Sequence, residues 1–385
     1  MGTTRLEELA KHGQSVWIDY LSREMLDSGK LDGLIREGVV GVTSNPTIFE
    51  QAISAGKGYD EQLRAARERT SDPKELFLAL AARDVADACD VLRGVYDAGV
   101  RRAQEARSAA RARGAGAGTV PHVDGFVSIE VDPLFAYDTE ATTAEALRLH
   151  AMIDRPNLFV KIPATKPGLP AIEDMIAAGK SINVTLIFSL QRYVEVAEAY
   201  VRGLERLVAA GGDPSSVASV ASFFVSRVDT ETDRRLDEIG GHDDLKGKLA
   251  VANAKLAYQR YKQIFSGERW EFLAAKGAAS QRCLWASTST KNPAYSDVLY
   301  VEELIGPETV NTLPEKTIRA FQDHGRVRPS LEEGLDEAQA LLERLAEAGV
   351  DYADVTEKLE RDGVQAFADS FSKLMEGIRT RAAAA

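Results

Sequence analysis

Cysteine, histidine and surplus positive charge are all scarce in this chain, and each shortage narrows what it can be. Only Cys89 and Cys283 occur in 385 residues, far apart and in no CxxC arrangement. Both lie in apolar stretches, which suits buried thiols in a reducing compartment better than a disulfide. The five histidines (His12, His122, His150, His242, His324) show no HxH or HExxH spacing, which disfavours a histidine-ligated metal. No run of about 18 apolar residues is available to span a membrane. The polar start MGTTRLEELAKHGQ has no apolar centre like that of a signal peptide. Basic residues are outnumbered, 47 Lys and Arg against 59 Asp and Glu. A nucleic-acid binder needs a dominant basic face, because phosphate contacts supply most of its affinity. The expectation is a cytoplasmic protein with neither nucleic acid nor membrane as partner, though a small basic pocket for a phosphorylated metabolite stays open.

What is present is an alternation. Eight short apolar runs recur: SVWIDY (15–20), GVVGVTSN (38–45), GFVSIEVD (125–132), LFVKIPAT (158–165), INVTLIF (182–188), VASFFVS (220–226), RCLWAS (282–287) and TVNTLP (309–314). Most are β-branched or aromatic and bounded by Gly, Pro, Asp, Ser or Asn, as buried parallel strands require. Amphipathic stretches such as 189–211 lie between them. Strand–helix alternation implies a parallel sheet with right-handed crossovers. The fold class expected is α/β, a (β/α)8 TIM barrel, with an inserted segment and extra C-terminal helices. A doubly wound open sheet is the rival, but neither GxGxxG nor GxxxxGKS/T follows any strand. A single domain is expected, its barrel at about 15–329. The Ala/Arg/Gly-rich stretch at about 99–120 reads as an exposed insertion, part helix and part flexible loop. Residues 330–385 read as a helical extension that packs on the barrel or on a partner.

Polar residues stand at the C-terminal ends of nearly all these strands: Asp19, Asn45, Glu130, Lys161, Asn183 with Thr185, Ser222 and Ser287. That end of a barrel is where catalytic side chains gather. One polar residue in an apolar strand is unremarkable, whereas a set of them costs too much to be accidental. Lys161 is the sharpest member. Desolvation disfavours the charged form of a buried amine, and an amine must be neutral to attack a carbonyl. A structural lysine paired across the barrel is the bland alternative. Asp19 and Glu130 are candidate proton shuttles, or else a helix N-cap and an ion-pair partner. Asp132 before proline reads as turn chemistry. Asn45 lies in an Asn-Pro turn in which Thr47 is able to cap the next helix. Two polar segments suit a phosphate: ASFFVSRVD, with Ser222 and Arg227, and WASTSTKNPAYSD, with Ser287, Ser289, Thr290 and Lys291.

At these residues the sequence resembles the transaldolases, Schiff-base aldolases of the non-oxidative pentose phosphate pathway. TSNPT, SIEVD, VKIPAT, NVTLIFS and WASTS follow in order between about Ser15 and Pro314, in the manner of the longer bacterial members. The resemblance implies that Lys161 forms the Schiff base and that Asp19 moves protons at the sugar hydroxyl. It implies that Glu130 and Thr185 position a water. Asn45 and Asn183 would bind the dihydroxyacetone part, Ser222 and Ser287 would complete the pocket, Phe224 would shape it, and Arg227 would bind phosphate. The implied reaction transfers dihydroxyacetone from sedoheptulose 7-phosphate to glyceraldehyde 3-phosphate, without metal or organic cofactor. Its partners are sugar phosphates, and a homodimer stays open. One departure stands out: Ser289 occupies the place of a second phosphate-binding arginine in many transaldolases. Lys291, two residues on, is expected to supply that charge. Two other readings stay in view: an aldolase of the same superfamily that hydrolyses its Schiff base to free dihydroxyacetone, and a non-catalytic barrel that only binds.

Overall fold

The computed structural model describes residues 4–56, 58–112 and 121–384. Each of the eight apolar runs forms a strand: β1 Gln14–Ile18, β2 Val39–Val42, β3 Val127–Glu130, β4 Leu158–Pro163, β5 Ile182–Ile187, β6 Ser219–Phe224, β7 Arg282–Ala286 and β8 Thr309–Leu313. They pair in parallel and in sequence order into a closed barrel. Closure decides against the open sheet, because β1 and β8 are in continuous register from Gln14↔Thr309 to Ile18↔Leu313.

The barrel interior is layered, as alternation along parallel strands dictates. At the N-terminal end Arg282 Nη2 lies 2.8 Å from Asp124 Oδ1, and its Nη1 donates to Ser15 Oγ at 2.9 Å. Above that layer the Phe159 ring stacks on Phe126 and Trp17, with centroids 4.1 and 6.0 Å apart. Gly41 faces this layer of rings, and a Cβ there would meet Trp17 at 2.5 Å. The aromatic layer plugs the barrel, so Lys161, two residues beyond Phe159 on β4, opens only toward the C-terminal mouth.

Local choices after the strands fix the loops that carry the site. Ser22, not Asp19, caps the helix Arg23–Asp27, its side chain accepting from the Met25 N–H. Asn45, not Thr47, caps the helix Pro46–Ala55, accepting from the Ile48 N–H at 2.9 Å. Asp132 accepts from the Leu134 N–H at the turn Pro133–Phe135, as expected of Asp-Pro. The stretch expected to be part helix and part loop is helical as far as it is described. Residues 99–112 are the last turns of one continuous helix, Pro73–Ala112, with Gly99 and Ala103 buried beneath an exposed Arg-rich face. Residues 113–120 lie outside those described.

No strand follows β8 among the described residues. Helices Leu335–Glu347 and Tyr352–Ala384 form the extension. The second of these crosses the mouth. It starts near the end of β5, where the Tyr352 hydroxyl accepts from the Leu190 N–H at 3.0 Å and donates to Asn253 Oδ1 at 2.6 Å. It passes the helix that follows β6 through Asp354–Arg235, 2.7 Å. It ends on the helix that follows β2, where Thr47 donates to Ser370 at 2.8 Å and Arg381 bonds the Ile53 carbonyl. Among the described residues no helix is long and apolar enough to cross a membrane.

Candidate active site

A cavity of about 630 Å³, counted to its open mouth, sits at the C-terminal ends of the strands. Nine of the eleven residues given a role by the resemblance line it, Asp19, Asn45, Lys161, Thr185, Ser222, Phe224, Arg227, Ser287 and Lys291, and Ser289 lines it with them. Glu130 and Asn183 do not line it. Glu130 stands beside Lys161 in the β3–β4 register. Asn183 lies one layer below, its amide donating to Ser128 Oγ at 3.1 Å and accepting from Ser222 Oγ at 2.7 Å. Its contact with the cavity is therefore through Ser222.

Lys161 is only 5% exposed. Its Nζ donates to the Ser44 carbonyl at 3.0 Å and lies 3.1 Å from Glu130 Oε2. Burial pushes the Glu130 carboxyl up; Lys161 pulls it back and Asp19 pushes it further. Glu130 Oε1 and the Thr185 hydroxyl are buried without a hydrogen-bond partner among the described residues. In a native interior such groups face a ligand or water.

Asp19 sits just past β1, half-buried, and accepts from the Thr43 hydroxyl at 2.8 Å. Burial raises its carboxyl too, against Lys161, the Thr43 bond, Lys291 and Arg227, which all favour the charged form. Two carboxylates thus share one lysine, and burial raises both. Also on the rim, the Arg227 guanidinium lies 5.2 Å from the Phe224 ring centroid and has no ion pair within 4 Å among the described residues. Lys291 is exposed and donates to Ser289 Oγ at 3.2 Å. The hydroxyls of Ser287, after β7, and Ser226, at the start of the helix after β6, lie 3.0 Å apart. Ser287 holds φ +56° and Leu186, next to Thr185, φ +61°. Left-handed backbone at non-glycine residues costs about 1–2 kcal/mol each and tends to persist at functional sites.

Sequence reasoning did not single out Thr43, Leu284, Ala286, Thr312, Pro314 or Phe367, all of which line the cavity. For Thr43 a signal existed, since it alternates with Gly41 and Asn45 along the run 38–45. For Phe367 there was none, because it comes from the extension.

A closed parallel barrel with a buried lysine on one carboxylate and near a second at its C-terminal mouth, and two cations lining the same cavity, is the arrangement of a Schiff-base aldolase of sugar phosphates. The chain belongs to the transaldolase/fructose-6-phosphate aldolase family, whose model matches residues 16–378. A transaldolase of Parafrankia sp. (strain EAN1pec) is 52% identical, the match covering 97% of each chain. One from Acidothermus cellulolyticus is also 52% identical, over 98% of this chain and 96% of its own. "Transaldolase 2" of Nostoc punctiforme is 44% identical over 99% of this chain and 98% of its own. The protein is an enzyme of the transferase class with transaldolase chemistry, acting on sugar phosphates.

Proposed function

We infer that this cavity moves dihydroxyacetone from sedoheptulose 7-phosphate to glyceraldehyde 3-phosphate, yielding erythrose 4-phosphate and fructose 6-phosphate. The observation that carries the reading is the buried contact of 3.1 Å between Lys161 and Glu130, beside Thr185 and Asp19. Lys161 passes a proton to Glu130, whose carboxyl burial has raised, and its free amine attacks the ketose C2. Glu130 and the unpartnered Thr185 hydroxyl hold the water through which the carbinolamine oxygen is protonated and lost. The iminium then draws electrons from the C3–C4 bond as Asp19 takes the C4 hydroxyl proton. The aldehyde leaves, the enamine on Lys161 attacks the incoming aldehyde, and Asp19 returns the proton to the new hydroxyl. Hydrolysis of the iminium releases product and the amine.

Asn45 and Ser222 suit the hydroxyls of the three-carbon unit, with Asn183 holding Ser222 in place. Phe224 and Ser287 shape the pocket, and Arg227 with Lys291 binds phosphate. In this reading the barrel of about 15–329 and the extension work as one unit in the cytoplasm, where the buried free Cys89 and Cys283 stay reduced. Its place is the non-oxidative pentose phosphate pathway.

Incubation with fructose 6-phosphate and borohydride should leave a reduced dihydroxyacetone adduct, mapped by peptide mass spectrometry to Lys161. Folded protein that yields no adduct with several ketose phosphates would remove the reading. For the phosphate end, Arg227→Ala is expected to raise KM for the phosphorylated aldehyde by roughly 10- to 100-fold, the worth of a charged hydrogen bond of about 1.5–3 kcal/mol. Lys291→Ala should have a smaller effect, because that side chain is more exposed. Equal losses on an unphosphorylated aldehyde would show that neither residue reads the phosphate.

A further inference from the structure

The geometry points to Phe367 as the residue that keeps water, other than the one held by Glu130 and Thr185, from the Lys161 enamine and so sets the balance between transfer and hydrolysis. The inference rests on the Schiff-base reading above and deepens it. Every other lining residue of the cavity belongs to a barrel strand, to the loop that follows one or, for Arg227, to the first turn of the helix after β6, whereas Phe367 arrives from the C-terminal helix. Its ring is 4% exposed, and its centroid lies 5.9 Å from Lys161 Nζ.

The helix has little freedom to lift. Along with the anchors at either end, Glu360 pairs with Arg192 at 3.3 Å one side of Phe367, and Phe371 packs edge-on to Phe77 at 5.8 Å on the other. At Gly363, one turn before Phe367, an added Cβ would lie 3.1 Å from Leu186, so the helix backbone is close against the end of β5. Phe367 is thus pressed over the nitrogen by a fixed element.

What the ring does follows from the chemistry beneath it. After C3–C4 cleavage the enamine has two fates. Attack on an aldehyde forms a new carbon–carbon bond. Alternatively C3 takes a proton and C2 takes hydroxide, so that one water is consumed, free dihydroxyacetone leaves, and Lys161 returns as the amine. A phenyl ring has neither a proton to give nor a lone pair to activate water, and it fills space that water would occupy. Its face also favours the cationic iminium that precedes cleavage.

The test compares two rates in the wild type and in Phe367→Ala. These are release of free dihydroxyacetone from fructose 6-phosphate without acceptor, and transfer when erythrose 4-phosphate is present. The ratio of release to transfer is expected to rise about tenfold or more in the variant, a relative barrier change of about 1.4 kcal/mol. Phe367→Leu should shift the ratio the same way by less, and it carries the test if the alanine variant does not fold. A ratio unchanged in the folded variants, with both rates falling together, would mean that Phe367 serves only packing and would overturn the inference. Borohydride trapping on the same samples separates the two failures. An adduct at Lys161 with an unchanged ratio defeats this inference alone, whereas no adduct in the wild type defeats the reading beneath it.

Discussion

Replacing Lys161 by methionine is expected to lower transaldolase turnover by on the order of 10⁴-fold or more, the scale of losing a covalent nucleophile, while the barrel remains folded. No other amine lines the buried part of the cavity, since Lys291 is exposed at the rim. The remaining groups still bind sugar phosphate, so binding followed by calorimetry should survive while turnover and the borohydride adduct vanish. Methionine fills most of the volume and loses the bonds to the Ser44 carbonyl and to Glu130. Removing one partner of a buried ion pair is usually severe, because the other charge is stranded. Here the stranded group has an escape. Burial already pushes the Glu130 carboxyl up, and without its lysine it is pushed higher and takes a proton. A carboxyl whose folded value is raised contributes stability below its unfolded value and loses it as pH climbs through the folded one. Melting temperatures of the variant should therefore match the wild type in mild acid and fall behind it progressively above the ordinary carboxylate range. A variant that keeps turnover within tenfold of the wild type would leave the strand lysine a structural role only.

The contrast between what was and was not legible follows from how far each signal travels along the chain. Strand identity is local: eight β-branched runs bounded by turn residues are enough, and every one became a strand within three residues of its ends. Facing is also local, because alternation puts Asn183 and Thr185 on the same side of β5. Depth is not. Thr185 reaches the cavity while Asn183 lies beneath it, held by Ser128 and Ser222, and only the stagger of neighbouring strands distinguishes the two. Competition for a cap is equally invisible in composition. Asn45 and Thr47 are both able cappers, yet Asn45 takes the helix and Thr47 reaches Ser370, more than three hundred residues away. Phe367 was the least legible of all. It belongs to the buried stripe Leu359, Val364, Phe367, Phe371, Leu374 and Ile378, whose spacing is that of any helix packed on a core. Nothing in that spacing tells which member of the stripe meets a lysine. At 99–112 the helical part of the expected stretch is present, and among the described residues Gly99 and Ala103 are the small buried positions that seat it, a footing that its Ala/Arg-rich composition does not announce.

Asp19→Asn is expected to stop the reaction after Schiff-base formation and to lower turnover by about 10²–10⁴-fold, the usual worth of a positioned general base. The amide cannot accept the C4 hydroxyl proton, so C3–C4 cleavage stalls while Lys161 and Glu130 still form the iminium. The expected signature is a change in what borohydride traps: the intact ketose phosphate on Lys161, in place of the three-carbon fragment. Fold damage is not expected, because the amide oxygen is still able to accept from the Thr43 hydroxyl that now bonds Oδ1. Stability should move the other way from activity. Burial raises the Asp19 carboxyl despite four influences that favour its ionisation. A raised folded value means that the charged form, which turnover in the cleavage direction needs, weighs against folding at neutral pH. That burden disappears as pH falls and the carboxyl protonates, and the neutral amide never carries it. The variant should therefore melt above the wild type at neutral pH, with the gap narrowing through the carboxylate range and closing in acid. Activity and stability opposing each other at one residue is what a charge held for catalysis predicts. Trapping of the three-carbon fragment at wild-type yield would assign the proton transfer to another group, and Glu130, raised by the same burial, would be the next to test by Glu130→Gln.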